Sequence, residues 1–147
     1  MDNIRKGQKF VLYIGIPSLL GLYLSAEHLI STIFFRGAFM ESDVINASNS
    51  LMAFSLGLPF FMLMKVLTPA FFSRKDTKTP MYVALISLIS NSILNYLLAF
   101  YFGLGHIGIA LGSSISAVIS VLILEVILLR DGFIKISNIF NRFNLTV

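Results

Sequence analysis

The sequence predicts an all-α membrane protein, a polytopic bundle of four transmembrane helices. Hydrophobic residues make up 56% of the 147-residue chain and charged residues only 12%, and the mean hydropathy of +0.87 exceeds what soluble domains show. The apolar residues form continuous runs, whereas a membrane β-barrel requires alternating segments of about ten residues. Lysine and arginine collect on alternate loops between these runs, as they do in multispanning membrane proteins.

Four apolar runs are long enough to cross the hydrocarbon core, which needs about 20 helical residues. They span residues 10–35, 44–72, 81–102 and 107–129 and form a single transmembrane domain. The second run is the longest, and its polar opening at residues 44–50 is expected to project beyond the apolar zone. The last segment, residues 130–147, interrupts apolar residues with Lys135, Asn138 and Arg142, which predicts a cytoplasmic or interfacial tail.

Basic residues predict the orientation of the chain. One set of loops holds Arg5, Lys6 and Lys9, then Arg74, Lys75 and Lys78, then Arg130, Lys135 and Arg142. The opposite loops hold only Arg36. Because basic loops stay in the cytoplasm, both termini are predicted to be cytoplasmic. The positive charge is therefore interpreted as setting the orientation of the chain in the membrane and not as a nucleic-acid binding surface. The sequence has no cysteine, which excludes disulfide bonds and thiolate chemistry.

Three prolines inside the predicted spans mark expected helix kinks. A proline lacks the amide donor, so the carbonyl four residues earlier loses its helical partner. Pro17 lies in the first span, and Pro59 and Pro69 lie in the second, with Lys65 four residues before Pro69. Lys65 can be interpreted in two ways. Its side chain either snorkels to the cytoplasmic face or faces a central cavity that accepts anions. Broken spans of transporters line such cavities.

Small residues recur every four positions along the fourth span, at Gly108, Gly112 and Ser116, and they share one helix face. Such a face allows two helix backbones to approach closely in lipid. The pattern therefore predicts a close helical partner for the fourth span.

Two asparagines on one face of the third span, Asn91 and Asn95, need polar partners in lipid. One reading is hydrogen bonding between helices. The other is a hard cation held by their carbonyl oxygens together with Ser113 or Ser114. The sequence contains no ligand cluster for a metal or cofactor. The G-x-G-x-x-G pattern at residues 103–108 follows a membrane helix, so it predicts a turn and not a nucleotide site.

Three stretches resemble the MurJ (MviN) lipid II flippase family of the MOP superfamily. They are FRGAF at residues 35–39, SLGLP at residues 55–59 and KVLTPAFFSRKDTKTP at residues 65–80. The order and spacing agree over nearly the whole chain. The resemblance implies a MOP/MATE-like lobe and a transporter, not an enzyme, which moves undecaprenyl-linked peptidoglycan precursor across the bacterial inner membrane by alternating access.

The resemblance also implies roles for single residues. For a substrate with an anionic headgroup, the candidates for its path are Lys65, beside which Pro69 opens the backbone, Arg74, which follows within reach, and Arg36. Asn91 and Asn95 occupy the helix position at which some members of the family hold Na⁺, the implied coupling ion.

The chain resembles only four spans of the family's carboxy-terminal lobe. The missing amino-terminal spans are therefore its expected partner, beside membrane lipid, and we expect no transport by the chain alone. The face at Gly108 and Gly112 is expected to pair with those missing spans or with a second copy. The alternatives are a part of another MOP exporter, for polysaccharide or drugs, and a small four-span membrane scaffold.

Overall fold

The computed structural model describes residues 2–130, and these are almost entirely helical. The elements are α1 (Asp2–Phe34), α2 (Glu41–Ser55), α3 (Leu58–Phe72), α4 (Lys78–Tyr96), a π-helical turn (Leu97–Tyr101) and α5 (Gly105–Arg130). This part of the chain contains no β-strand, and the predicted all-α membrane bundle is confirmed. The predicted tail after Arg130 lies outside the described residues.

The described helices provide three spans, or four when the bent α2–α3 pair is counted as one. Three are long and apolar enough by themselves, namely α1, α4 with its π-helical turn, and α5, and the bent α2–α3 pair provides the fourth. Helix α1 begins at Asp2, before the apolar run, and its first turns contain the basic residues that precede Phe10. Pro17 lies inside α1 and Pro69 inside α3, and both helices continue through them.

The second span consists of two helices that meet at an angle of 41°. Pro59 lies in the first turn of α3, where a missing amide leaves no helical carbonyl unpaired. Gly57 precedes it, and a Cβ added there would stand 2.9 Å from the Cα of Ser114 on α5. The bend therefore occurs where proline starts a new helix and glycine permits a close backbone contact.

Helix α5 is central, because it packs against α4 on one side and against α2 and α3 on the other. Helix α1 packs on α2 and α3. Helices α3 and α4 barely touch, which leaves the α3–α4 groove open between them. Seven buried apolar side chains from α3, α4 and α5 form the apolar core, which consists of Leu63, Leu67, Phe71, Val83, Val121, Leu124 and Leu128.

Candidate substrate path and helix seam

The small-residue face of α5 lies directly against the end of the third span. A Cβ added to Gly108 would stand 2.6 Å from the main-chain carbon of Leu98 and 2.7 Å from the nitrogen of Ala99. A Cβ added to Gly112 would overlap the side-chain oxygen of Asn95. We call this contact the α4–α5 seam, formed by Gly108, Gly112, Ser113 and Ser116 on one side and by Ser87, Asn91, Asn95, Leu98 and Ala99 on the other.

Hydrogen bonds cross the seam on the polar face of α4. Ser116 Oγ donates to the carbonyl of Ser87 at 2.9 Å, and the two hydroxyl oxygens are 3.0 Å apart. Asn91 Nδ2 donates to Ser113 Oγ at 3.2 Å. Within the described residues, no buried side-chain nitrogen or oxygen lacks a hydrogen-bond partner. The seam therefore combines close backbone approach with satisfied polar groups.

The two asparagine amides also contact each other. Asn95 Nδ2 donates to Asn91 Oδ1 at 2.9 Å. With the Asn95 amide turned over, its nitrogen donates to the carbonyls of Ile109 at 3.2 Å and Asn91 at 3.3 Å. Both orientations keep Asn91, Asn95 and Ser113 in one network. The structure thus brings together three residues that the sequence singled out, and it uses them for hydrogen bonding between helices.

The seam corrects one expectation. The small-residue face was expected to pair with missing spans or with a second copy, and that expectation is wrong, because its partner is α4 of the same chain. The polar residues of α4 and the small residues of α5 are two sides of one contact. Each pattern is visible in the sequence, and the short turn between the two helices, residues 102–104, is the signal that pairs them.

Ser114 has a different role from the cation ligand considered for it. Its hydroxyl lies 2.9 Å from the carbonyl of Ala53, 3.4 Å from that of Phe54 and 3.2 Å from that of Ala110. The first two carbonyls belong to the last turn of α2, and that of Phe54 also accepts a hydrogen bond from the amide of Gly57 at 3.0 Å. Ser114 therefore ties α5 to the broken span and faces away from the asparagines.

Lys65 lies on α3 with an exposed side chain. It lines an open cavity of about 320 Å³ together with Phe61, Met64, Thr68 and Pro69. A second open cavity of about 430 Å³ occupies the α3–α4 groove and shares Phe61 and Met64 with the first. Phe61 and Met64 therefore lie between the cavity that Lys65 lines and the groove above the seam.

The floor and walls of the α3–α4 groove differ in chemistry. The floor is polar and consists of seam residues, which are Ser87, Asn91, Ser113 and Ser116. The opposite wall is apolar and includes Phe54 and Phe61, whose rings stack with centroids 5.1 Å apart. The groove therefore presents hydroxyl and amide groups to one side of an occupant and aromatic rings to the other.

The loop after α3 holds Arg74, which is half-buried. It lies about 13 Å beyond Lys65 along the chain direction of the helix. The loop turns at Lys75, with a φ of 62°. The carboxylate of Asp76 accepts hydrogen bonds from the amides of Lys78 and Thr79, each at 3.1 Å.

The hydrogen bonds of Asp76 at the start of α4 are a structural contact that the sequence analysis missed. Hydrogen bonds from Thr79, and then from the amide of Lys78, hold the pKa of its carboxyl below the ordinary value of 3.8. The available signal was an aspartate two residues before the start of α4, where carboxylates stabilise free amides.

Arg36 lies in the loop between α1 and α2, at the opposite end of the bundle from Arg74. Its guanidinium donates to the carbonyl of Ile33, from Nε at 3.2 Å and from Nη2 at 2.9 Å. The structure therefore does not bring the three predicted substrate-path cations together. Lys65 and Arg74 belong to one half of the bundle and Arg36 to the other.

A contact between α1 and α5 was also missed. Gln8 Nε2 donates to a carboxylate oxygen of Glu125. These two helices otherwise hardly touch. The available signal was Glu125 itself, the single acidic residue in the apolar sequence of α5.

Comparison with known proteins identifies the family. A family model described as lipid II flippase MurJ matches residues 1–146. The chain belongs to the MurJ lipid II flippase family. Similar MurJ proteins include a probable lipid II flippase of Vibrio cholerae, 43% identical over 118 residues. Another is the lipid II flippase of Thermosipho africanus, 36% identical over 141 residues.

The chain covers only part of these MurJ proteins. The Vibrio match includes 80% of this chain and 22% of the relative, and the Thermosipho match includes 92% of this chain and 29% of the relative. A solved structure of lipid II flippase MurJ in an inward closed conformation superposes with a TM-score of 0.74. That match has 34% identity and covers 86% of this chain and 26% of the other.

Membership of the MurJ family confirms the resemblance seen in the three sequence stretches. It separates the chain from other MOP exporters and from an unrelated four-span scaffold. The helix arrangement described above is also that of the matching region of the solved MurJ structure.

Proposed function

We propose that this chain is one part of a lipid II flippase and that it transports nothing without the remaining spans. The observation that carries the proposal is the family match over residues 1–146, together with the 22% and 29% of its relatives that the chain spans. Alternating access requires two units that rock about a site between them. Four spans provide part of one unit. The proposed cargo is undecaprenyl-linked peptidoglycan precursor, moved across the bacterial inner membrane.

In this proposal the seam makes α4 and α5 one rigid body. Backbone contact at Gly108 leaves no space for the helices to slide, and the bond between Ser116 and Ser87 fixes their register. Helix α2 follows the same body, because Ser114 holds its last carbonyls. Alternating access by rocking requires each lobe to move as a rigid body, since a lobe that deforms internally does not transmit the movement from one membrane face to the other.

Lys65 is the proposed contact for the anionic headgroup of the cargo. Its side chain is exposed, and it lines one cavity together with Thr68 and the apolar side chains of Phe61 and Met64. A lipid with a charged headgroup and a long hydrocarbon chain needs both kinds of surface. Arg74 extends the positive charge toward the basic loop, and Arg36 would meet the headgroup at the opposite membrane face.

Paired substitutions in the complete transporter test the role of Lys65. Lys65→Ala is expected to reduce lipid II flipping in vesicles strongly, whereas Lys75→Ala, an exposed lysine in the loop, is expected to reduce it little. Equal and mild effects of the two changes would instead support a lysine that only snorkels.

The proposed orientation places both termini and the loop at residues 73–77 in the cytoplasm, because the basic residues collect there. Single cysteines at Ser73 and His106, both exposed, are expected to react with an impermeant maleimide from opposite sides of the membrane. Reaction of both from one side contradicts the orientation.

Na⁺ coupling belongs to the proposal through Asn91, Asn95 and Ser113. Their amide and hydroxyl oxygens are the kind of ligand that a hard cation prefers, and they lie together in one network. Within the described residues, no group of three or more His, Cys, Asp or Glu side chains lies close enough to hold a metal ion. Such an ion would therefore depend on the neutral oxygens of this network, supplemented by water or by the remaining spans.

Growth complementation tests the central claim. The chain is expressed in cells depleted of their own flippase, alone and together with the missing spans as a separate polypeptide. We expect growth and flipping only when both are present. Rescue by the chain alone would refute the claim, and failure of both arms despite membrane insertion of both polypeptides would count against the flippase role.

A further inference from the structure

The outward face of α4 carries large apolar side chains along its whole length. At 100° per residue, these side chains lie within about 60° of one line along the helix, and the line continues into the π-helical turn. All are exposed, from 40% for Leu97 to 76% for Phe100. We call this surface the outer stripe, and it consists of Tyr82, Leu85, Ile86, Ile89, Ile93, Tyr96, Leu97 and Phe100. The polar seam occupies the opposite face of the same helix.

The order of side chains along the outer stripe matches a bilayer. Aromatic rings stand at its two ends, Tyr82 at one and Tyr96 with Phe100 at the other, and the middle is aliphatic. The rise from Tyr82 to Phe100 is about 27 Å, close to the hydrocarbon thickness of about 30 Å. Aromatic side chains prefer the two membrane–water interfaces. The length and the order of the stripe both fit a lipid environment.

The composition of the outer stripe does not fit another helix. Helices associate in lipid through small residues that permit close approach, as Gly108 and Gly112 do at the seam. Along the stripe, by contrast, eight large side chains keep another backbone at a distance, and the hydroxyl of the neighbouring exposed Ser92 is bonded within its own helix, to the carbonyl of Leu88 at 2.9 Å. The seam and the stripe therefore divide α4 into one face built for a helix and one face built for hydrocarbon.

Charge distinguishes the two ends of the outer stripe. Lys75 and Lys78 are exposed one to two turns before Tyr82, and the carboxylate of Asp76 between them is engaged by main-chain amides. At the other end, residues 102–105 contain no charged side chain. Exposed lysines beside a membrane surface attract anionic lipid headgroups. The basic end of the stripe is thus complementary to anionic lipid.

We propose that the outer stripe is a lipid-contact surface of the assembled transporter, with acyl chains along its aliphatic middle and anionic headgroups at Lys75 and Lys78. This makes α4 part of the outer wall of its lobe and directs the remaining spans to other faces. The inference goes beyond the flippase proposal and rests on it only in assuming that remaining spans exist.

Quenching of tryptophan by brominated lipid tests the acyl contact, because the chain has no tryptophan of its own. Ile93→Trp places the probe on the stripe, and Leu94→Trp is the matched control at the same depth on a half-buried position. In phosphatidylcholine vesicles brominated along the acyl chains, we expect strong quenching at position 93 and weak quenching at position 94. Quenching at position 93 that declines as the protein-to-lipid ratio rises indicates a second copy and overturns the proposal.

The same probes in a complete transporter separate lipid from the remaining spans. This chain replaces the matched segment of the Vibrio cholerae relative, whose own tryptophans are changed to phenylalanine. Quenching at position 93 that persists supports the proposal, and its loss shows that the remaining spans cover the stripe and overturns it. Lipid II flipping is measured on the same chimera. If the stripe contacts lipid but the chimera does not flip lipid II, the result counts against the flippase proposal and leaves the lipid-contact proposal standing.

Headgroup preference is tested at the two ends of the stripe. Tyr82→Trp is expected to be quenched more by brominated phosphatidylglycerol than by brominated phosphatidylcholine, because each nearby lysine enriches anionic lipid about fivefold. Phe100→Trp, at the uncharged end of the stripe and 76% exposed, is the control and should show no preference. Lys75→Gln with Lys78→Gln should remove the preference at position 82. Equal quenching by both lipids in the parent Tyr82→Trp protein overturns the headgroup assignment.

Discussion

The α4–α5 seam and the apolar core join helices of the same bundle by opposite means. The seam uses glycine and serine to bring backbones into contact, whereas the core interlocks large side chains such as Leu67, Phe71 and Leu124, each at most 1% exposed. In water the core would dominate, since burial of one such side chain is worth about 1.5–3 kcal/mol. In lipid the surroundings are as apolar as the core, so that only packing remains. The smallest side chains therefore fix this fold at least as firmly as the largest.

The largest expected effect is at Gly108. Gly108→Ala introduces a Cβ within 2.7 Å of main-chain atoms of Leu98 and Ala99, which cannot move aside as a flexible side chain can. We expect destabilisation of about 3 kcal/mol, at the upper end for overpacking, measured by unfolding in mixed detergent micelles. Gly21→Ala is the matched control in α1, where nothing lies within 4 Å, and it should stabilise by up to about 1 kcal/mol. Similar effects at both positions would remove the distinction between seam and surface.

A smaller effect is expected in the apolar core. Leu67 is fully buried, and Leu67→Ala removes its packing contacts with the core. We expect a loss of about 2 kcal/mol, at the low end of core truncations, because the unfolded helix in lipid already has apolar surroundings. Leu24→Ala, at a side chain that is 75% exposed, should change the stability little. A larger loss of stability for Leu67→Ala than for Gly108→Ala would show that the apolar core stabilises the fold more than the seam does.

The polar part of the seam should contribute less. Asn91→Leu with Asn95→Leu keeps the approximate size of both side chains and removes the amide network. Hydrogen bonds between membrane helices are worth about 0.6 kcal/mol on average, so we expect a loss of about 1 kcal/mol in the same unfolding assay. The same protein tests the cation assignment. Stabilisation of the parent chain by Na⁺ that survives this double change would show that the ion binds elsewhere.

The smallest effect is expected outside the membrane, at Asp76. Hydrogen bonds lower the pKa of its carboxyl in the folded chain, so it contributes stability above its unfolded pKa and loses that contribution as the pH falls through its folded pKa. Asp76→Ala should therefore be slightly less stable than the parent at neutral pH. The difference should vanish in acid, below the ordinary value of 3.8. A difference that does not depend on pH would assign the effect to the change of side chain and not to the charge.

Hydropathy and charge were sufficient to predict the number of spans and the all-α membrane fold. The hydrophobic length that a bilayer demands is a local property, so it can be read from consecutive residues. The polar face at Asn91 and the small face at Gly112 were also visible. The sequence analysis placed Asn91 and Asn95 beside Ser113 in one interpretation, and the structure shows that contact. It did not assign Gly108 and Gly112 to the same contact, although two helices joined by a short turn must pack as neighbours.

Contacts between distant parts of the chain could not be predicted in this way. Ser114 bonds to Ala53, 61 residues earlier, and Gln8 bonds to Glu125 across 117 residues. A serine in an apolar helix has many carbonyls available to it, including those of its own helix. Only the bend at Gly57, which brings the end of α2 against α5, selects one of them. The sequence marks the bend through Pro59, but not the helix that it faces.

The separation of the bonded residues along the chain implies an order of assembly. The hydrogen bonds across the seam join residues that lie 22 to 29 positions apart, so α4 and α5 are able to close as a hairpin as soon as α5 is complete. The Gln8–Glu125 contact requires both ends of the described chain and a much longer loop closure. We therefore expect the hairpin to form first and the contact between α1 and α5 to form last. A ribosome-released product that ends before Glu125 would lack this contact, and α1 would be held only by its packing on α2 and α3.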